Sequence, residues 1–166
     1  NMYGGVRFGG QIMEDTAYAL GFDHIALCTG AGRPTVLNIP NGLAPGVRQA
    51  SDFLMALQLT GAAKADSIAN LQLRLPVVVV GGGLTAIDTA TESLAYYVVQ
   101  VEKFLERYEV LSSELGVEAT RAGWSPVEAE IAEEFLMHGR AIKKERQRAA
   151  NAEEAPQILE LLNTWG

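Results

Sequence analysis

A short glycine-rich stretch in the middle of the chain has the residue types and spacing best suited to chemistry. Gly81, Gly83 and Ala86 satisfy the pattern G-x-G-x-x-A. In that pattern the first glycine allows a tight turn, and the second lets the backbone approach a pyrophosphate. The small third residue permits close packing of a helix on a strand. The spacing therefore predicts dinucleotide binding, and the alternative is a tight strand-to-helix turn that holds no ligand.

The elements on either side of this stretch must position it. The four valines at 77–80 are typical of a central parallel strand that is buried on both faces. A helical pattern begins at Leu84, so its N-terminus would offer free N–H groups and the positive end of its dipole to phosphates. An acid that holds the ribose is expected about 20 residues further on. Glu102 has that spacing but lies inside the helical pattern, so we interpret it as a solvated helix residue, with ribose contact as the alternative.

A second glycine turn occurs earlier in the chain. Residues 24–28 are predicted to form a buried strand, and Thr29, Gly30 and Ala31 follow it at once. Open α/β sheets bind ligands where such strands end. Val6 and Phe8 alternate with small or polar residues and predict a further short strand. Short helices are predicted at residues 14–20 and from a Ser51 cap to Gly61.

The second half of the chain has a helical pattern. Apolar residues recur at spacings of three and four, and a second helix opens with a capping box at Ser125, with Pro126 at its first position. That helix is predicted to reach about Arg148, and a shorter third helix would begin near Ile158. We expect the first apolar stripe to pack on the second helix, with a coiled coil as the alternative. The stripe consists of Leu94, Tyr97, Val101, Phe104, Tyr108, Leu111 and Leu115.

Composition narrows the function classes. The 166 residues include 48% hydrophobic residues and carry a net charge of −7, which favours a packed core and disfavours nucleic-acid binding. The single cysteine, Cys28, excludes an intrachain disulfide and is predicted to be a small core residue. His24 and His138 are far apart and predict no metal site. No membrane span or signal peptide is apparent, so a cytoplasmic location is expected.

Two further charged features are interpreted as charged side chains that suit their positions on a solvated helix. The basic cluster at 143–148 is assigned to a solvated last helical turn, with contact to a nucleotide 2′-phosphate or an acidic partner as the alternative. Asp88 lies in the first turn of its predicted helix, where it suits the helix dipole and needs no catalytic role. No arrangement of nucleophile, acid and base is apparent, so the catalytic residues stay unknown.

With these pieces in view, residues 18–95 resemble flavin-dependent pyridine-nucleotide oxidoreductases, particularly the small chain of glutamate synthase. The spacing of roughly fifty residues between the two glycine turns and the order of the turns both fit that family. The matching pieces are FDHIALCTGA at 22–31, Pro34, IP at 39–40, GV at 46–47, ASDFL at 50–54 and GGGLTAID at 81–88.

The resemblance implies two cofactors, FAD and NAD(P)H. In the family the first turn lies against FAD, and the second opens an inserted NAD(P)H domain. Carried over, the FAD contacts are Thr29, Gly30 and Ala31, and the contacts to the nicotinamide nucleotide are Gly81, Gly82, Gly83, Thr85 and Ala86. The family's N-terminal FAD fingerprint and its C-terminal portion are absent, and Leu84 stands where relatives often have Asn. Residues 96–166 match nothing in the family pattern.

These observations together predict an α/β fold, with partial Rossmann-type nucleotide-binding units followed by an all-helical segment. The predicted domains are the end of an FAD domain at 1–45, a connecting helix and linker at 46–72, the start of an NAD(P) domain at 73–95 and a helical insertion at 96–166. The chain begins at Asn1, and we interpret it as an internal fragment of a longer flavoprotein, inactive by itself.

The parent protein would pass hydride from NAD(P)H to FAD and then electrons to an unknown acceptor. The cofactors would supply the hydride chemistry, and the protein would bind and orient them. The main alternative is a non-catalytic nucleotide-binding or interaction module whose helices contact a partner or a second copy. A weaker alternative is a small Rossmann dehydrogenase without flavin.

Overall fold

The protein is described by a computed structural model that covers residues 3–30, 34 and 36–165. The chain divides into two compact units, Asn1–Val36 and Leu37–Gly166. Among the described residues, the first unit contains one helix and the second contains five. The helices are α1 (Glu14–Ala19), α2 (Ala50–Thr60), α3 (Leu84–Leu115), α4 (Val117–Arg121), α5 (Pro126–Ala152) and α6 (Ile158–Trp165).

The predicted α/β fold is wrong for the described part of the chain. Those residues contain no β-strand and no sheet, and the nearest feature is an isolated bridge between Phe8 and Ile12. The valine run at 77–80 is irregular, and Val78 is 84% exposed where a central strand would bury it. A strand is stable only when a second strand satisfies its backbone groups. No described segment pairs with this run, so the Rossmann-type units are not formed.

The N-terminal unit has little apolar burial. Its one helix, α1, ends beside Gly21 as the glycine signal predicts, and Ala17 is its buried residue. Residues 24–28 were expected to form a buried strand, but they are irregular and mostly exposed. Cys28 is exposed too, so its assignment to the core is also wrong. An apolar run at 25–28 therefore does not become a strand without neighbouring strands to cover it.

Helix boundaries in the second unit follow local signals closely. Gly61 ends α2 in the left-handed conformation, and Gly116 ends α3. At α5 the capping box is complete, since the Ser125 hydroxyl accepts from the Glu128 N–H and the Glu128 carboxylate accepts from the Ser125 N–H. The expected Ser51 cap is not formed, because α2 begins one residue earlier and Ser51 lies inside it.

The core of the second unit lies between α3 and α5. Tyr97 and Val101 of α3 pack with Phe135 and Ile142 of α5 and with Leu162 of α6. The middle of the predicted stripe is buried in this way, which confirms that it packs on the second helix within the chain. Its ends stay exposed at Leu94, Leu111 and Leu115.

A second part of the core joins α2 to α3. Phe53 and Leu57 of α2 pack with Tyr96 of α3 and with Ala62 in the connection after α2. Among the described residues, none of the helices combines the length and the apolar composition that crossing a bilayer requires.

Candidate functional site

The glycine loop, residues 81–83, lies directly before the first turn of α3. Gly83 is the N-cap residue of that helix and is extended, with φ −94° and ψ 179°. Its carbonyl oxygen accepts from the Ala86 N–H at 3.0 Å and from the Ile87 N–H at 3.3 Å. No side chain caps the N-terminus of α3. The first N–H groups of this 32-residue helix therefore have no side-chain acceptor, and the loop before them is exposed.

The glycine positions differ in how much space surrounds them. A Cβ at Gly81 would lie 3.0 Å from the Cβ of Ala86, so this part of the turn is closely packed. At Gly82 and Gly83 an added Cβ would meet nothing within 4 Å. A Cβ at Gly81 would therefore crowd Ala86 in the first turn of α3, while the space around Gly82 and Gly83 is open.

A polar ladder on one face of α3 holds the chain that leads into the loop. The ladder consists of Tyr96, Gln100, Lys103 and Arg107, spaced by four, three and four residues. We call residues 67–75, which lie across this face, the strap. The Tyr96 hydroxyl accepts from the Leu71 N–H at 2.7 Å. The Gln100 amide accepts from the Leu73 N–H and donates to the Leu73 carbonyl, both at 2.8 Å.

The two cations of the ladder, Lys103 and Arg107, also form hydrogen bonds with backbone groups. Lys103 is buried, and its Nζ donates to the carbonyl oxygens of Ala62 at 2.9 Å and Ala69 at 3.2 Å. Arg107 donates from Nη2 to the Ser67 carbonyl at 2.6 Å. Burial lowers the pKa of Lys103 below its usual value, and the nearby Arg107 adds to this. Side chains of one helix therefore satisfy backbone groups of the strap that a neighbouring strand would satisfy in a sheet.

The residues carried over as FAD contacts lie in the other unit. Thr29 and Gly30 are exposed, and Gly30 has φ +69°, a conformation that favours glycine in a turn. Ala31 lies outside the described residues. Of the predicted cofactor residues, the structure places Gly81 close to Ala86, whereas Thr29 and Gly30 belong to the separate N-terminal unit.

The basic cluster at 143–148 is engaged in ion pairs on the protein surface. Lys143 contacts Glu109 at 2.9 Å, and Arg146 contacts Glu102 at 2.5 Å. Arg148 pairs with Glu145 and Glu154. The interpretation of these cations as solvated helix residues is therefore confirmed, but they do not form the last turn, because α5 continues to Ala152. Glu102 is likewise a helix residue that faces a cation of α5.

A buried polar cluster escaped the sequence analysis. His138 is 5% exposed, and its Nδ1 lies 2.6 Å from the Tyr97 hydroxyl. The Trp165 indole stacks on the imidazole, with ring centroids 3.8 Å apart. Burial lowers the pKa of His138 and raises that of Tyr97. The heptad-like spacing that places Tyr97 in the apolar stripe was the only available signal, because the partner residues are 41 and 68 positions further along the chain.

The described residues gather no group of three His, Cys, Asp or Glu side chains that could hold a metal ion. Two open grooves flank the α3–α5 contact. One, of about 430 Å³, lies between the ion pairs Glu102–Arg146 and Glu109–Lys143. The other, of about 240 Å³, is lined by Phe104, Trp124 and Phe135. Neither includes a residue of the glycine loop.

The comparisons with known proteins identify a longer relative. An uncharacterized protein from Rickettsia prowazekii is 45% identical to this chain over 160 residues. The match covers 96% of the chain but only 20% of the relative, so the chain spans about a fifth of that protein's length. No known family matches the chain, and no solved structure matches it. The resemblance to flavin-dependent oxidoreductases therefore stays a prediction.

Proposed function

We propose that this chain supplies the pyrophosphate-binding loop of a nicotinamide-nucleotide site in a longer, flavin-dependent oxidoreductase. The observation that carries the proposal is the exposed start of α3 at Gly83, which no side chain caps and which lies within the G-x-G-x-x-A spacing of Gly81, Gly83 and Ala86. Backbone N–H groups at such a helix start can donate to phosphate oxygens, and the helix dipole favours negative charge there.

The surroundings of the loop support this assignment. The open space at Gly82 and Gly83 would let a pyrophosphate reach the backbone, whereas a side chain at either position would obstruct it. The ladder of α3 anchors the strap, which ends at residue 75, so the chain is held to the same helix on both sides of residues 76–83.

The loop is tested by titrating the isotopically labelled chain with NADPH, NADH and ADP while its amide resonances are recorded. We expect shifts confined to residues 82–87. Gly83→Ala should weaken binding about tenfold or more, because its methyl group displaces the phosphate from hydrogen-bond distance. Since that Cβ meets no atom within 4 Å, the fold should be unchanged.

Gly123→Ala is the matched control, because its Cβ also meets nothing within 4 Å and Gly123 follows α4, far along the chain from the loop. It should bind each nucleotide like the unaltered chain. The proposed loop is refuted if no nucleotide shifts these amides, or if Gly83→Ala binds as tightly as Gly123→Ala.

The oxidoreductase part of the proposal concerns the full-length protein. We infer a cytoplasmic flavoprotein in which Thr29, Gly30 and Ala31 approach FAD, and in which NAD(P)H reduces the flavin for an acceptor encoded elsewhere. The purified full-length protein should carry flavin absorbance that NAD(P)H bleaches without oxygen. A colourless protein that does not bind added FAD would refute the flavin step, and it would leave the loop result standing.

A further inference from the structure

We propose that α6 is an acid-released latch, which stays docked on α3 and α5 while His138 is neutral and detaches when His138 takes up a proton. The inference is independent of nucleotide binding. It rests on the buried contacts that join His138 of α5 to Tyr97 of α3 and to Trp165 of α6.

The neutral imidazole fits its surroundings well. Tyr97 is fully buried, so its hydroxyl needs an acceptor, and Nδ1 of His138 lies 2.6 Å away. Tyr97 therefore donates to Nδ1, which places the imidazole proton on Nε2. The indole of Trp165 covers the imidazole with an interplanar angle of 12°.

A proton on Nδ1 removes this arrangement. Nδ1 becomes a donor, and the Tyr97 hydroxyl loses its acceptor inside an apolar cluster. Glu134 on α5 is the acid that faces His138, and it is already paired with Arg74 at 2.5 Å. From α3 the facing titratable group is Tyr97, and α6 contributes the uncharged Trp165. Glu134 attracts the new positive charge, but burial opposes that charge more strongly, so the protonated imidazole favours solvent exposure.

Detaching α6 would uncover the imidazole, because Trp165 of this helix stacks on it. The helix has eight residues, and it docks through Leu162 and Trp165, with Ile158 and Leu161 at the margin. Its N-terminal side is anchored separately, because the Gln157 N–H donates to the Glu145 carboxylate at 2.8 Å. Arg148 and this N–H lower the pKa of Glu145 to about 2, so the anchor keeps its charge while His138 titrates. The helix can therefore leave as a unit from a fixed hinge.

The test follows both tryptophans by fluorine NMR in the chain labelled with 5-fluorotryptophan, with the two resonances assigned by Trp124→Phe. As the pH falls from about 7.5 to about 5, we expect the Trp165 resonance to shift with a midpoint below the usual histidine value of about 6.5. The Trp124 resonance should stay constant and serves as the internal control. The His138 imidazole carbon shift, recorded in the same samples, should have the same midpoint.

Hydrogen exchange separates latch release from general unfolding. At the acidic end, protection of the α6 amides should fall about tenfold or more, while the amides of Val101 and Phe135 keep theirs. In His138→Gln, which does not titrate in this range, the Trp165 resonance should not move. The proposal is overturned if all helices lose protection together, if the Trp165 and His138 midpoints differ, or if Trp165 stays in place throughout.

Discussion

Gly139 of α5 faces Val101 of α3 so closely that an added Cβ would lie 2.8 Å from the Val101 carbonyl oxygen. The same Cβ would lie 3.0 Å from the Cβ of Leu105. Both neighbours belong to the body of α3, so neither can rotate away as the end of a flexible side chain could. The glycine therefore sets how near the two long helices approach.

We expect Gly139→Ala to lower the free energy of unfolding by about 1–3 kcal/mol, because the methyl group must push α5 away from α3. Urea denaturation followed by circular dichroism measures this change. The control is Gly123→Ala, whose Cβ has open space around it. Equal stabilities of the two variants would contradict the close approach.

Lys103→Met tests the ladder that holds the strap. The substitution keeps the apolar stem and removes the donor to the carbonyl oxygens of Ala62 and Ala69. We expect a loss of about 1–3 kcal/mol in the free energy of unfolding, since buried carbonyl groups are left without a donor. Lys144→Met, at an exposed position of α5, should change it by less than about 0.5 kcal/mol. A stable Lys103→Met variant whose strap amides keep their protection would show that Lys103 does not hold the strap.

Replacing the exposed valines tests the corrected fold. Val78→Thr and Val80→Thr exchange a methyl group for a hydroxyl at side chains that are 84% and 74% exposed. We expect thermal unfolding of the 166-residue chain to be almost unchanged by either. The matched control is Val101→Thr at a fully buried site. This substitution should lower the free energy of unfolding by about 1–3 kcal/mol. A similar cost at Val78 would indicate that the valine run is a buried strand after all.

The stability of the chain should depend on pH through His138. Burial holds its pKa in the folded chain below the unfolded value of 6.5. The unfolded state therefore binds the proton more tightly, so the contribution of His138 to the free energy of unfolding should be constant above about pH 7 and fall as the pH decreases below 6.5. The slope can reach about 1.4 kcal/mol per pH unit. Urea denaturation at about pH 7 and about pH 5.5 measures the change in the free energy of unfolding. This change should be smaller in His138→Gln than in the unaltered chain.

Elements stabilised by nearby residues were predictable from the sequence. The capping box at Ser125, the left-handed Gly61 and the stop at Gly116 act within a few residues, and the helices begin or end there as expected. The packing of the α3 stripe on α5 follows from its periodicity.

The strands could not be predicted in this way. The valines at 77–80 and the apolar residues at 24–28 have the composition of strands, but composition does not provide a partner to accept and donate hydrogen bonds. The tertiary structure decided that the strap bonds to side chains of α3 instead. It also places His138 beside Tyr97, 41 residues away in the sequence, and stacks Trp165 on the imidazole. Local sequence thus determined where the helices lie along the chain, whereas contacts between distant residues decided which buried groups are satisfied and by which partners.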